Sequence, residues 1–129
     1  VVTASDRIYA IGGRPELNYR KNMDVVEAYD FATNQWHARA KLPTARSGIA
    51  AGVIDGRIYV VGGESGEGTF NTHEMYLPEE DRWVVMMPMP TARHGLGAAV
   101  VNDRLHVISG GLTPGASFSQ VHEVFTPPH

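Results

Sequence analysis

Few residues of this chain combine types and spacings that could do chemistry. His73-Glu74 and His122-Glu123 each set an imidazole beside a carboxylate, both of which are good zinc ligands. They fall, however, at matching places in two copies of one repeated pattern, where Val26 fills the third, and the rotation between copies sets them apart. No metal site is expected from them. His94 follows Arg93 as Ser47 follows Arg46, and Glu64 follows a Gly pair as Arg14 does. Glu64 with His94 could supply an acid and a base. No Gly-x-Ser-x-Gly elbow, phosphate-cradling loop or triad order accompanies them. With no Cys among 129 residues there is no thiol nucleophile, thiolate metal site or disulfide. No catalytic residue and no cofactor are therefore assigned.

These residues are placed by a hairpin that occurs twice. Residues 43–63 read as two apolar strands joined by Asp55-Gly56 and stopped by Gly62-Gly63. An Asp-Gly pair between apolar runs favours a type I′ turn, because both central residues need positive φ. Residues 90–110 match that stretch at an offset of 47, with Ser109 in place of the first Gly of the pair. Arg7 to Gly13 match Arg57 to Gly63, so a third copy begins the chain. Other markers keep the period: Tyr29 and Tyr76, Trp36 and Trp83, and Arg46 and Arg93 are each 47 apart.

Strands are expected at 25–30, 49–54, 57–61, 72–77, 83–87, 96–101, 104–108 and 121–125, with a further strand from Trp36. Polar loops are expected at 14–22, 64–71 and 111–120. No stretch carries a 3.6-residue apolar stripe, and turn residues recur every 8 to 12 positions, so the chain is all-β. Four antiparallel strands per repeat, with Gly pairs and periodic aromatics, describe propeller blades. The composition suits one globular unit, at 43% hydrophobic and 19% charged. The 11 Lys and Arg residues are scattered and the net charge is -3, which argues against a nucleic-acid partner. No apolar run approaches the roughly 18 residues of a membrane span. The absence of Cys is compatible with the cytoplasm but does not fix a compartment.

The Gly pair, the Glu-x-Tyr that follows and the Trp seven residues after the Tyr together resemble the kelch repeat. The likeness covers nearly the whole chain and implies an all-β partial propeller of about three four-stranded blades, at about 1–42, 43–89 and 90–129. The first would lack most of its inner strand and the third its outer one. Because Val1 begins in mid-pattern, the chain is expected to be a piece of something longer. Remaining blades of a parent chain, or a second copy of this one, would then cover the exposed blade faces.

The resemblance also implies roles. Gly12, Gly13, Gly62, Gly63 and Gly110 would end the second strand where the backbone turns with little room. Tyr29, Tyr76, Trp36 and Trp83 would pack between blades. Arg46 and Arg93 would support the blades from inside, paired with carboxylates such as Glu27, Glu74 or Glu123. The residue after each Arg and the residue after each Gly pair would face the central mouth, which nominates Ser47, His94, Arg14, Glu64 and Gly111. The function implied is a recognition module that binds a protein or peptide through mouth loops. The alternative is part of a carbohydrate-processing kelch enzyme, such as a mutarotase acting on a small sugar. Kelch copper oxidases do not fit, since their Tyr-Cys cofactor needs a Cys.

Overall fold

A computed structural model of the chain describes residues 1–128; His129, the last residue of the third expected repeat, lies outside the described residues. Eleven strands form three antiparallel sheets among the described residues. The first holds β1 (Val2–Ala4), β2 (Arg7–Ile11), β3 (Val26–Asp30) and β4 (Gln35–Ala38), in that order. The second holds β5 (Ala50–Ile54), β6 (Arg57–Val61), β7 (His73–Leu77) and β8 (Arg82–Val85) in the same arrangement. The third holds β9 (Gly97–Val101), β10 (Arg104–Ile108) and β11 (His122–Phe125). Among the described residues no helix is long and apolar enough to cross a membrane.

Each inner hairpin closes on two residues of positive φ, as a type I′ turn requires. Asp55 and Gly56 stand at 51° and 73°, Ser5 and Asp6 at 49° and 58°, and Asn102 and Asp103 at 51° and 57°. The register repeats as well: Val53 lies opposite Ile58, and Val100 opposite Leu105. β1 keeps three residues against the five of β5, each paired with β2, so the first sheet is fuller than the sequence suggested. Its inner strand is shortened rather than mostly missing.

The sheets stack face to face, with β5 against both β1 and β9. Alternate residues of β6 serve two cores. Ile58 and Val60 pack with Tyr9, Ala28 and Leu42 of the first repeat, and Tyr59 and Val61 with Leu105 and Val107 of the third. Burial on both faces explains why β6 reads Ile-Tyr-Val-Val without alternation. In β10, by contrast, only Leu105 and Val107 are buried.

The aromatic markers do what the repeat demands only where a neighbouring sheet exists. Tyr76 is fully buried, edge-on to Tyr9 with ring centroids 5.7 Å apart, and its hydroxyl donates to Asp81 Oδ1 at 2.6 Å. Trp83 Nε1 donates to the Ala40 carbonyl at 2.9 Å across the joint. Tyr29 and Trp36 depart from expectation: Tyr29 is half-buried and Trp36 is 51% exposed, because no described residue covers that face of the first sheet.

The two marker arginines are equivalent and fully buried. Arg46 donates from Nη1 to Gly62 O (2.7 Å) and Thr72 O (3.3 Å), and from Nη2 to Val60 O (3.4 Å) and Glu74 Oε1 (2.7 Å). Arg93 makes the same four contacts one repeat later, with Ser109 O, Val121 O, Val107 O and Glu123 Oε1. Thr44 and Thr91 hydroxyls donate to the second oxygen of each carboxylate. Glu27, the third acceptor considered, is exposed, with no such guanidinium against it among the described residues.

One glycine shows why the pair recurs. A Cβ on Gly62, at φ 74°, would stand 2.6 Å from the Arg93 carbonyl of the next repeat. Ser109 holds the equivalent place at φ 63°. It is tolerated there because no described segment crosses it as residue 93 crosses Gly62.

Candidate binding surface at the loop end

In an antiparallel sheet the connection between the second and third strands and the connection entering the next inner strand leave from one end. That end gathers the loops β2–β3, β6–β7 and β10–β11 with the segments just after Arg46 and Arg93. Backbone bonds join them: Glu64 N–H donates to Ser47 O at 2.9 Å, and His94 and Gly111 exchange bonds of 3.0 and 2.8 Å. The Gly pairs bring those backbones close enough to bond, which places the nominated side chains together.

Glu64 is the hub. Arg14 Nη1 donates to its Oε1 at 2.7 Å, the Gly115 N–H donates to its Oε2 at 2.8 Å, and His94 Nδ1 lies 3.4 Å from the same oxygen. Arg14 Nη1 also reaches Ser47 Oγ at 3.3 Å, and Ser47 Oγ donates to Asn22 Oδ1 at 2.6 Å. Asn22 Nδ2 in turn donates to the Glu64 carbonyl at 2.7 Å, and Thr69 Oγ1 to the Leu112 carbonyl at 3.0 Å. Burial raises the Glu64 carboxyl, but the bonds from Arg14 and Gly115 and the field of His94 outweigh it, and the net shift is downward. The anion is held by three separate loops or joints.

The five nominated residues thus meet at one end, yet not as open contact points. Ser47, Glu64 and His94 are buried, Gly111 is buried, and Arg14 alone keeps substantial exposure, with its guanidinium 5.8 Å from the Tyr19 ring. Position relative to a repeat marker gives the end of the sheet on which a side chain stands; it does not show what folds over it. Asn22, Thr69 and Gly115 were missed, because the loops that carry them differ in length and have no repeat register. Also missed were the apolar side chains these loops hold outward: Leu17 (88% exposed), Leu112 (48%) and Phe118 (90%). The two His-Glu pairs lie elsewhere: His73 is buried in the joint between the second and third sheets, and His122 is exposed on the third beside His106.

A kelch motif model matches residues 1–43 and 45–90, which is most of the chain. The chain belongs to the kelch-repeat family. Its three sheets are kelch propeller blades, and the third, beyond the matched residues, repeats their register. An F-box/kelch-repeat protein of Arabidopsis thaliana is 38% identical over 82 residues, covering 61% of this chain and 23% of that protein. Kelch-like protein 36 of Bos taurus is 39% identical over 80 residues, covering 60% of the chain and 13% of that protein. Kelch-like ECH-associated protein 1A of Danio rerio is 43% identical over 58 residues, covering 43% and 10%. The chain therefore matches less than a quarter of the length of these relatives.

Proposed function

We propose that this kelch chain is a recognition module for a protein or peptide, read by the loops β2–β3, β6–β7 and β10–β11. The observation that carries the reading is a division of labour at one end of the blades. Polar groups beneath the loops are spent on one another, through Glu64, while Leu17, Leu112 and Phe118 stand in solvent on the loops. Loops tied down in advance lose less freedom on binding, and exposed apolar side chains on an ordered frame suit a macromolecular partner. A sugar site would need several polar groups converging on open space. Glu64 and His94 instead face each other under cover, so nothing favours the sugar-acting alternative.

The test is selection of peptides from a random displayed library against the chain, followed by competition. Binding of the selected peptides should fall at least about tenfold when Leu17 and Phe118 are both changed to Ser, since each buried apolar side chain is worth about 1.5–3 kcal/mol. Peptides that bind the double variant equally well would place the contact surface elsewhere. Catalysed interconversion of hexose anomers by the chain would instead favour the enzyme.

A further inference from the structure

Beneath the loop β10–β11 one buried imidazole faces hydrogen-bond acceptors on both sides. His94 Nδ1 lies 3.4 Å from Glu64 Oε2, while Nε2 is buried with no hydrogen-bond partner among the described residues. What Nε2 faces is read at Gly111. A Cβ on that glycine would stand 2.7 Å from Nε2, 2.8 Å from the Ser117 carbonyl oxygen and 2.1 Å from Ser117 Oγ. No side chain fills that point, so ring and loop meet across it. Ser117 Oγ already donates to the Thr113 carbonyl, and no described residue donates to the Ser117 carbonyl. We infer that His94 is a proton-operated latch for this loop: its imidazolium bridges Glu64 and the Ser117 carbonyl, and the segment that presents Leu112 and Phe118 is held more firmly when the ring is charged.

The two-sided setting of the ring is what calls for the proton. A neutral imidazole carries one N–H and one bare nitrogen. With the hydrogen on Nδ1, the bare Nε2 is left against the Ser117 oxygens. With it on Nε2, the bare Nδ1 is left against the Glu64 carboxylate. Either tautomer sets one buried acceptor against another, whereas the imidazolium donates at both nitrogens and satisfies both sides at once. The charged groups around it are few. Glu64 meets the ring from the second sheet, and Arg14, from the loop β2–β3, bonds the other Glu64 oxygen at 2.7 Å. Arg46 and Arg93, beside the ring in the chain segments that carry it and pack on it, commit their guanidinium groups to Glu74 and Glu123. Residues 111–120 contain no charged side chain. Glu64, whose carboxyl is held below its ordinary 4.5, stays charged through the range in which histidines titrate. His94 therefore tightens the loop first as pH falls, and Glu64 lets it go only in stronger acid.

The consequence is regulation of the proposed contact surface, so it rests on reading these loops as the recognition site. Thr69 Oγ1 and the Gly115 N–H already tie the loop β10–β11 to the loop β6–β7. A further tie made by a proton reduces the freedom that the loop loses when a partner docks, and affinity rises as pH falls into the weakly acidic range.

The first measurement needs no partner. Protection of the Gly115 and Ser117 amides, taken relative to their intrinsic exchange rates, should rise about tenfold between about pH 8 and about pH 5.5, as one charge-assisted hydrogen bond allows. The midpoint should coincide with that of the His94 ring in an NMR titration. His94→Gln, which gains no proton, should show flat protection over that range. Acetylated, histidine-free peptides selected against the chain should bind it about tenfold more tightly at the lower pH, and His94→Gln equally at both. Flat protection in the unaltered chain, or a midpoint apart from that of His94, would overturn the inference whether or not the variant folds. So would a pH-independent affinity for peptides that lose binding when Leu17 and Phe118 are changed. Peptides indifferent to those two changes would instead refute the recognition reading, and the exchange measurements would still decide the latch.

Discussion

Arg46 and Arg93 form a matched pair for measuring what a buried guanidinium does in a blade. Each spans three carbonyls and a carboxylate, and each carboxylate also accepts a Thr hydroxyl. They differ in one respect: the Glu74 side chain is 2% exposed and the Glu123 side chain 20%. Arg46→Met keeps the aliphatic stem, removes the charge and strands Glu74 where water cannot reach it. Breaking a buried pair from one side costs about 3–5 kcal/mol. Arg93→Met leaves the same kinds of orphaned carbonyl, but Glu123 can recruit water. The cost should be lower, about 2–3 kcal/mol, nearer that of unsatisfied polar groups alone. Urea unfolding of the two variants should separate their midpoints in that order, with unchanged slopes. Adding Glu74→Gln to Arg46→Met should recover about 1–2 kcal/mol, because the stranded group is then neutral. Equal losses for the two arginines, or a double variant weaker than Arg46→Met alone, would refute the desolvation account.

Further outcomes follow from the same geometry. Burial, followed by the bond to Asp81, pushes the Tyr76 hydroxyl up to about 12 against the bond and charge of Arg39. The Tyr76 hydroxyl should therefore titrate late in ultraviolet absorbance, and its contribution to stability, full below pH 10, should be lost as pH rises through about 12. Glu64 behaves oppositely. Its depressed carboxyl holds the loops at any pH above its ordinary 4.5 and releases them as pH falls through the lowered value, so the protection of the Gly115 amide relative to its intrinsic exchange rate should fall in acid and, in Glu64→Gln, already at neutral pH. Gly62→Ala should cost about 2–4 kcal/mol by combining positive-φ strain with a collision against backbone, whereas Gly56→Ala, with open space around its Cβ, should cost about 1 kcal/mol in calorimetry. His94→Ala should shift the melting temperature measurably, since the ring is buried against Gly48 and beside Glu64, but by less than Arg93→Met.

Much of the architecture was legible because it depends on local rules applied at a fixed period. The Asp55-Gly56 turn follows from residue types at a fixed period, and Glu74 and Glu123 stood, with Glu27, among the guanidinium partners that the kelch resemblance implied; the double-sided burial of β6 came only with the neighbouring sheets. The exposure of Trp36 was not legible, because its packing depends on a neighbouring sheet rather than on its own position. The candidate surface was half legible. Offsets from Arg46, Arg93 and the Gly pairs gathered Arg14, Ser47, Glu64, His94 and Gly111 at one end, but the folding of residues 14–22 and 111–120 over them depends on contacts such as Asn22 with Ser47 and Gly115 with Glu64. Those loops have no period, and the Asn22 side chain and the Gly115 backbone N–H find partners 25 and 51 residues away.

The backbone bonds beneath the loops have a consequence for how such a chain can change over generations. Gly13 N–H donates to the Arg46 carbonyl and Gly63 N–H to the Arg93 carbonyl, at 3.0 and 2.9 Å. Neither bond involves a side chain, so each joint is fastened in a way that is blind to what the neighbouring loops carry. Residues such as Leu17, Leu112 and Phe118 can therefore be replaced, and the loops that carry them lengthened, while the glycines hold the blades in register. Selection can rewrite the contact surface one substitution at a time without first having to rescue the fold.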